Sequence, residues 1–399
     1  MKKPLRIGLI MLGGKEWIGG SEYIKNIILA LINLPSEVKQ TFEVCLLYSK
    51  KSINPDILNQ LEPFLNTTYD LDRELKSRNL IDRLRWKARN IFLREANPRM
   101  SDFLQKVGID FIYPYQTSTR EEKLNLHGCP WIADFQHKYL PHLFTESEII
   151  DRDKSFKKIA TSSQRVVLSS NSAAKDFQTF FPNSKTKVEV LQFRTSLQEA
   201  WYKEDAIAIQ QKYSLPDRFF LVSNQFWQHK NHGIIFEALK ILKSKSIYPV
   251  IAYTGSTEDY RNPNYMDTIL KTIQEYSLES QTYLLGLIPK QDQMQLMRRS
   301  IAVIQPSLFE GWSTVVEDAR CLGKTMLLSD FSVHLEQNPP NSSFFERHSP
   351  QQLAHLIDEC WNSPIVTPDL EQEALARDRN AQETQEFAYR FLAIANGNK

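Results

Sequence analysis

The chain has 399 residues and a formal net charge of +2, from 49 Lys and Arg against 47 Asp and Glu. That balance excludes a global electrostatic attraction to nucleic acid. With 42 % hydrophobic and 24 % charged residues, the composition is that of a globular protein able to bury a core in each of two domains.

The opening, "MKKPLRIGLIMLGGKE", imitates a secretory leader, with basic residues ahead of an apolar run. The run from Ile7 to Leu12 is short, and Gly13-Gly14-Lys15-Glu16 ends it. A buried first strand over residues 6–11 is expected instead. A helix over 21–34 follows, with Ile24, Ile27, Ile28 and Leu31 on one face, then a strand over 41–47. Segment 73–99 carries nine Lys and Arg against three Asp and Glu, with Trp86, Ile91, Phe92 and Leu93 among them. A basic, partly apolar helix of this kind suits an anionic membrane surface; a solvated helix face is the plainer reading.

Short apolar runs at 111–113, 131–134, 165–168 and 188–191 complete the first half. A polar helical connector at 195–215 restarts the pattern: a strand over 219–223, a helix over 232–242, then strands over 248–253, 282–285, 301–304 and 325–329. The tail, 369–395, reads as helical. Strand–helix alternation predicts an α/β fold with parallel sheets covered by helices on both faces, in two Rossmann-like halves joined near residue 200. Ligands of such sheets bind at the carboxyl ends of strands and between paired domains. No run of about 18 apolar residues occurs, so no membrane-spanning helix is expected. Cys45, Cys129, Cys321 and Cys360 form no Cys-x-x-Cys and no metal-ligand spacing, which points to a reduced, cytoplasmic protein without a metal site.

The most informative stretch is "PSLFEGWSTVVEDARCLGK", 306–324. It follows a strand and enters a helix that Gly323 stops. The first amides of a helix have no internal partners and its dipole favours anions there. Gly311 lets backbone approach a ligand, and Ser313 and Thr314 are capping types. Such a turn suits phosphate. Acids beside a phosphate site need another partner, and hydroxyls of a sugar or ribose supply it. Glu310 precedes the turn, and Glu317 and Asp318 lie one turn into the helix. A ligand with a diphosphate between two hydroxyl-rich rings, a nucleotide-sugar, satisfies all these groups.

This block resembles the donor-binding signature of family-4 retaining glycosyltransferases, Glu-Gly-Phe-Gly-x-x-x-x-Glu with a later Ala and Gly. Here it reads Glu310, Gly311, Trp312, Ser313, then Asp318, Ala319 and Gly323, with Trp312, Ser313 and Asp318 departing from the pattern. "FLVSNQFWQHKNHGIIFEALKIL" is similar to the family's strand–turn–helix whose Arg and Lys neutralise the donor diphosphate. Lys230 falls on the Lys and Gln225 on the Arg, so His229 or an arginine from elsewhere would have to supply the missing charge. "YLLGLIPKQDQMQLMRRS" is similar to the turn beside the nucleotide base, which implies backbone contacts from Gly286 and Leu287. "GGKEWIGGSEYIKNIILALI" resembles the family's first turn, where Gly19 and Gly20 would let backbone approach donor phosphate and acceptor; it is no Gly-x-Gly-x-x-Gly fingerprint. "WIADFQHKYLP" resembles the segment bearing an N-domain His that touches the donor sugar, here His137 beside Asp134 and Gln136. "LLSDFSVHLEQ", with His334 and Glu336, resembles a subgroup that builds bacterial surface polysaccharides.

The resemblance implies the GT-B fold, two facing Rossmann-like domains: an acceptor-side domain over 1–198 and a donor-binding domain over 199–381, with a last helix, 382–399, packing back on the first. It implies transfer of a sugar from a UDP- or GDP-sugar, GDP-mannose among them, to a glycan or lipid-linked acceptor. The anomeric configuration is retained, and neither metal nor resident cofactor is used. Lys230, the turn amides and the dipole would carry the leaving diphosphate, Glu310 the sugar hydroxyls, and His137 the charge on the anomeric centre. The expected location is cytoplasmic, with peripheral contact at the inner face of the plasma membrane through 73–99. A nucleotide-sugar epimerase or phosphorylase on the same fold, and a non-catalytic nucleotide-sugar-binding module, are the alternatives.

Overall fold

The computed structural model describes residues 3–14, 17–76, 80–92, 97–118, 121–122, 125–364 and 367–397. The chain divides into two compact units. The first comprises Met1–Ala133, Asp153–Arg194 and Glu383–Lys399, the second Asp134–Arg152 and Thr195–Gln382.

In the first unit, β1 (Leu5–Ile10), β2 (Phe42–Tyr48), β3 (Thr67–Asp70), β4 (Phe111–Tyr113) and β5 (His127–Gly128) form a sheet in the order β3-β2-β1-β4-β5. β6 (Trp131–Ile132), β7 (Arg165–Leu168) and β8 (Lys187–Val190) form a second sheet in chain order. The pairings are parallel, with Ile7 opposite Val44 and Leu9 opposite Leu46 on one side of β1, and Ile7 opposite Phe111 on the other. Both faces of β1 are covered, which is why its centre is continuously apolar. The end of the chain belongs to this unit: Phe391 packs edge-on against Phe111 and Tyr113, and Arg165 Nη1 donates to Ile394 O at 2.7 Å.

In the second unit, β9 (Phe220–Ser223), β10 (Ile251–Thr254), β11 (Thr282–Gly286), β12 (Val303–Gln305), β13 (Met326–Ser329) and β14 (Ser342–Phe345) run parallel in the order β11-β10-β9-β12-β13-β14. The strand period of two sorts the side chains. Phe220, Val222, Tyr253, Ile304 and Leu327 enter one core layer; Phe219, Leu221, Ala252, Val303 and Leu328 enter the other. Each fully buried aliphatic stabilises the unit by about 1.5–3 kcal/mol. The helix His232–Ser244 seals the first layer with Ile235, Phe236, Leu239 and Leu242.

Most strands fall within a few residues of the sequence expectation. β3, β5 and β14 do not appear in it, because "TTYD", "HG" and "SSFF" lack an apolar run. β3 and β14 are edge strands whose residues are mostly part-exposed, and β5 has two residues. The segment Asp134–Arg152, which the expected boundary at 198 puts in the first half, clusters with the second unit. No described helix is long and apolar enough to cross a membrane.

Candidate active site

The six-stranded sheet of the second unit reverses its order between β9 and β12: the chain adds β10 and β11 on one side of β9, then returns to place β12 on the other. Loops leaving the carboxyl ends of such neighbours diverge and open a crevice, the place where α/β sheets bind ligands. The loop after β9 carries Gln225 and ends in the 3₁₀ turn Gln228–Lys230. The loop after β12 carries 306–313. They are stitched together by Leu308 N donating to His229 O at 2.8 Å and by Asn231 Nδ2 donating to Pro306 O at 3.2 Å.

Lys230 and Glu310 meet across this crevice. Lys230 Nζ donates to Glu310 Oε1 at 2.6 Å, with side chains only 16 % and 9 % exposed. The same Oε1 accepts from Gln305 Nε2 at 2.9 Å and Ser307 Oγ at 2.7 Å. Gln305 is oriented in turn by Asn224 Nδ2, which donates to its Oε1 at 2.7 Å. Burial alone would raise the Glu310 pKa; the charge of Lys230 foremost, with the bonds from Lys230 and Ser307, outweighs it and holds the carboxyl below its ordinary value. Glu310 is therefore an anion with one oxygen fixed by three donors.

Two histidines next to this pair are neutral. Burial lowers His229 well below its ordinary pKa, and Lys230 and Arg261 push further the same way. His229 is thus held uncharged, contrary to one of the expected compensations for Gln225. The cation beside the turn is Arg261. Its Nη2 donates to His229 Nδ1 at 3.2 Å, its Nη1 to Gln136 Oε1 at 3.3 Å, and its guanidinium lies 4.7 Å from the Trp227 ring centroid. An arginine has no lone pair to offer, so His229 accepts at Nδ1 and carries its proton on Nε2. His334 is pushed down to about 4 by burial, against the opposing pull of Glu310. Ser329 Oγ donates to Ser307 O at 2.7 Å, so the 2.9 Å contact with His334 Nδ1 is a donation from the imidazole.

The helix Thr314–Cys321 begins at Ser313, whose Oγ accepts from Val316 N at 3.4 Å. Thr314 is thus the first helical residue, not a second cap. Ser313 N donates to Gln337 Oε1 at 3.3 Å, so that amide already has a partner, and the first-turn amides of Thr314 and Val315 are the ones without an intrahelical acceptor by position. Trp312 is buried. The two helical acids face protein groups. Glu317 accepts from Gln337 Nε2 at 2.9 Å and lies 3.5 Å from Arg320 Nε. Asp318 is bound by Lys290 Nζ and accepts from Thr195 Oγ1 at 3.0 Å. Both carboxylates are at most 3 % exposed, where the sequence reading has them reaching a ribose.

His137 lies in the short helix Gln136–Tyr139, buried, with Phe135 and Phe144 rings 6.5 and 6.3 Å away. Its segment belongs to the same unit as Lys230 and Glu310, not to the N-terminal one. Tyr139 packs on Phe309 at 5.6 Å, one residue from Glu310. Asp134 beside it is raised by burial, opposed by Gln136 N, Arg152 and His137, and pushed up further by Glu310. Gly286 ends β11, two strands from β9, with φ +67°, and Leu287 is 67 % exposed. Gly19 and Gly20 lie in the first unit, in the helix Ile18–Ile32. Of the basic segment, residues 77–79 and 93–96, Leu93 included, lie outside the described residues. In the remainder, Trp86 Nε1 and Arg89 Nη1 donate to Asp102 at 2.9 and 2.5 Å, while Leu84, Arg85 and Lys87 are exposed.

The residues the sequence reading missed are Gln305, Ser307, Asn224, Gln337, Lys290 and Arg261. One signal was available: polar residues at the carboxyl ends of otherwise apolar strands, as at Gln305 after Val303-Ile304. Nothing local marks Gln337, whose side chain meets Ser313 and Glu317, or Arg261, which pairs with neighbouring Asp259 and reaches His229 and Gln136 from afar.

Residues 204–379 match the family model described as glycosyl transferases group 1. The serotype-specific mannosyltransferase WbdA of Escherichia coli is 25 % identical over 174 residues, 43 % of this chain and 21 % of its own length. The chain thus spans about a fifth of that curated relative. Among solved structures, Anabaena HepE in complex with UDP and glucose superposes with a TM-score of 0.65 at 15 % identity, covering 98 % of this chain and 99 % of that one. Sucrose-phosphate synthase of Thermosynechococcus elongatus gives 0.62 at 15 % identity, covering 98 % and 97 %.

Proposed function

We propose that this chain, which carries a glycosyl transferases group 1 domain on a GT-B fold, moves a sugar from a nucleoside-diphosphate sugar to a glycan or lipid-linked glycan. The observation that carries the reading is the Lys230–Glu310 pair at the β9/β12 switch point, with one oxygen of Glu310 fixed by three donors. An ammonium has three N–H donors, and one goes to Glu310; the others suit phosphate oxygens. Arg261 supplies a second cation beside the same turn, and the helix Thr314–Cys321 adds first-turn amides and its dipole. Glu310 Oε2 is then the atom that accepts from sugar hydroxyls.

In the reaction the bond between the anomeric carbon and the diphosphate oxygen breaks, and a bond to the acceptor oxygen forms. Negative charge grows on the leaving diphosphate, where preorganised cations and amides stabilise it. The acceptor adds on the face the diphosphate leaves, its proton passes to a phosphate oxygen, and the configuration is retained. No metal takes part in this scheme. Glu310 and His137 hold and orient the sugar ring. The name of the Escherichia coli relative favours mannose, carried as GDP-mannose; the UDP and glucose of the Anabaena structure favour a UDP-sugar. The proposed location is the cytoplasm, with contact to an anionic membrane through 73–99 serving a lipid-linked acceptor; pelleting with phosphatidylglycerol vesicles tests that contact.

The test of function is nucleotide release from GDP-mannose and from UDP-glucose, with and without a membrane extract bearing glycan acceptors. Release that depends on the extract, with label incorporated into glycan, is the expected result. Release without acceptor and with conversion of the sugar would make the chain an epimerase, and binding without release a non-catalytic module.

A further inference from the structure

The first unit has a switch point of its own, between β1 and β4, and the loop after β1 leaves from it. Trp17 stands there, 42 % exposed, directly ahead of the helix Ile18–Ile32. A single exposed indole needs no explanation, but this one is seated by its surroundings. Its ring stacks on Trp131, centroids 5.8 Å apart and planes 8° from parallel. Trp131 stacks in turn on buried Tyr23 at 4.2 Å and donates Nε1 to Ser169 Oγ at 2.9 Å. Tyr23 shares a 2.5 Å hydroxyl contact with Tyr113, the last residue of β4. The backbone is cut to fit: a Cβ on Gly20 would lie 2.9 Å from the Trp17 ring, and one on Gly13, at φ +73°, 2.1 Å from Trp17 O. Gly20 thus makes room for the ring, and Gly13 for the backbone that carries it.

We propose that the exposed face of Trp17 is a stacking platform for a pyranose ring of the acceptor glycan. A pyranose presents a flat set of C–H bonds on one side, and these lie well on the electron-rich face of an indole. An indole held by flat stacking loses little freedom when the sugar settles, so little of the contact is spent on ordering. The acceptor is the occupant because the cations suited to a donor diphosphate, Lys230 and Arg261, belong to the second unit. The inference rests on the transferase reading given above.

Saturation-transfer difference NMR on the full chain tests it, with methyl α-D-mannopyranoside and methyl α-D-glucopyranoside as probes and UDP and GDP in separate samples. The wild type is expected to saturate the ring protons of at least one glycoside. Trp17→Ala should lower that signal roughly fivefold, the loss of one aromatic contact, while Trp17→Phe retains most of it. Gly20→Ala, which displaces the indole without removing it, should lower the signal as well. Should Trp17→Ala fail to fold, the Phe and Gly20 variants carry the test. Equal saturation in wild type and every variant, or none in the wild type, overturns the platform; so does loss of UDP or GDP signals in Trp17→Ala, which would make it a nucleotide platform. If neither nucleotide binds the wild type while the glycoside signal still depends on Trp17, the platform stands and the transferase reading falls.

Discussion

At Glu310 the two carboxylate oxygens are differently engaged. Oε1 takes bonds from Lys230, Gln305 and Ser307, which fix the side chain and keep it ionised. Oε2 is the atom that the proposed function gives to sugar hydroxyls. Glu310→Gln keeps an oxygen for the three donors but puts a donor where the acceptor was. Transfer should fall by about 100-fold or more, near 3 kcal/mol of transition-state stabilisation, with a melting temperature close to wild type. Glu310→Ala should lose activity equally and melt several degrees lower, because removing one partner of a buried pair leaves Lys230 uncompensated at a cost of about 3–5 kcal/mol. Kinetics with the donor that passes the release assay, set beside thermal melts, separate the two effects. A Gln variant with near-normal kcat/KM would show that Glu310 serves the fold alone.

The helix Thr314–Cys321 is an element held by its own acids. Asp318 is tied to Lys290 and Thr195, Glu317 to Gln337 and Arg320, and Ser313 to Gln337 at both its amide and its carbonyl. These ties aim the N-terminus of the helix at the crevice. Asp318→Ala should destabilise by about 1–3 kcal/mol, since it strips partners from a part-buried lysine and a buried hydroxyl. Calorimetry should show that loss with nucleotide affinity nearly unchanged. Unchanged stability with weakened UDP or GDP binding would return Asp318 to the ribose role its position in the motif suggests. The same helix shows how far sequence reading reaches. The strand–turn–helix frame and Ser313 as a capping type were legible, because apolar period and cap chemistry are local. Lys230 and Glu310 were legible as separate residues. That they pair, and that the helical acids turn to Lys290, Thr195 and Gln337, was not, because those partners come from other helices and loops that only the sheet order brings together. Arg261 was hidden for the same reason: the fold brings it beside the turn that carries Gln225 from a position 36 residues later in the chain, with Asp259 against its guanidinium.

At the scale of the whole molecule, acid should act on stability through the histidines buried in the second unit. His232 is fully buried, stacked on Phe226 at 4.5 Å, and its pKa is pushed down to about 3 by burial and then by Lys230. His334 is pushed down to about 4, and His229 lies well below its ordinary value. A folded-state pKa below the unfolded one means that the unfolded chain binds protons more readily. The stability from each neutral imidazole is complete above about 6.5 and drains away as pH falls toward the folded value. Between pH 6.5 and 5 His232 and His334 each lose about 1.5 kcal/mol, and His229 adds a loss of the same sign. Glu310 and Asp102, both lowered, add losses of the same sign only in the carboxylate range below that window, whereas Asp134, raised, works in the opposite direction from the carboxylate range upward. Melting temperature should therefore fall steadily from pH 7 to pH 5, well before the carboxylates titrate. His232→Phe preserves the stack on Phe226 and removes one titrating group, so its melting curve should be visibly flatter over the same interval. A wild type indifferent to pH across that range, or a variant with undiminished slope, would show that these imidazoles are not held neutral by the fold.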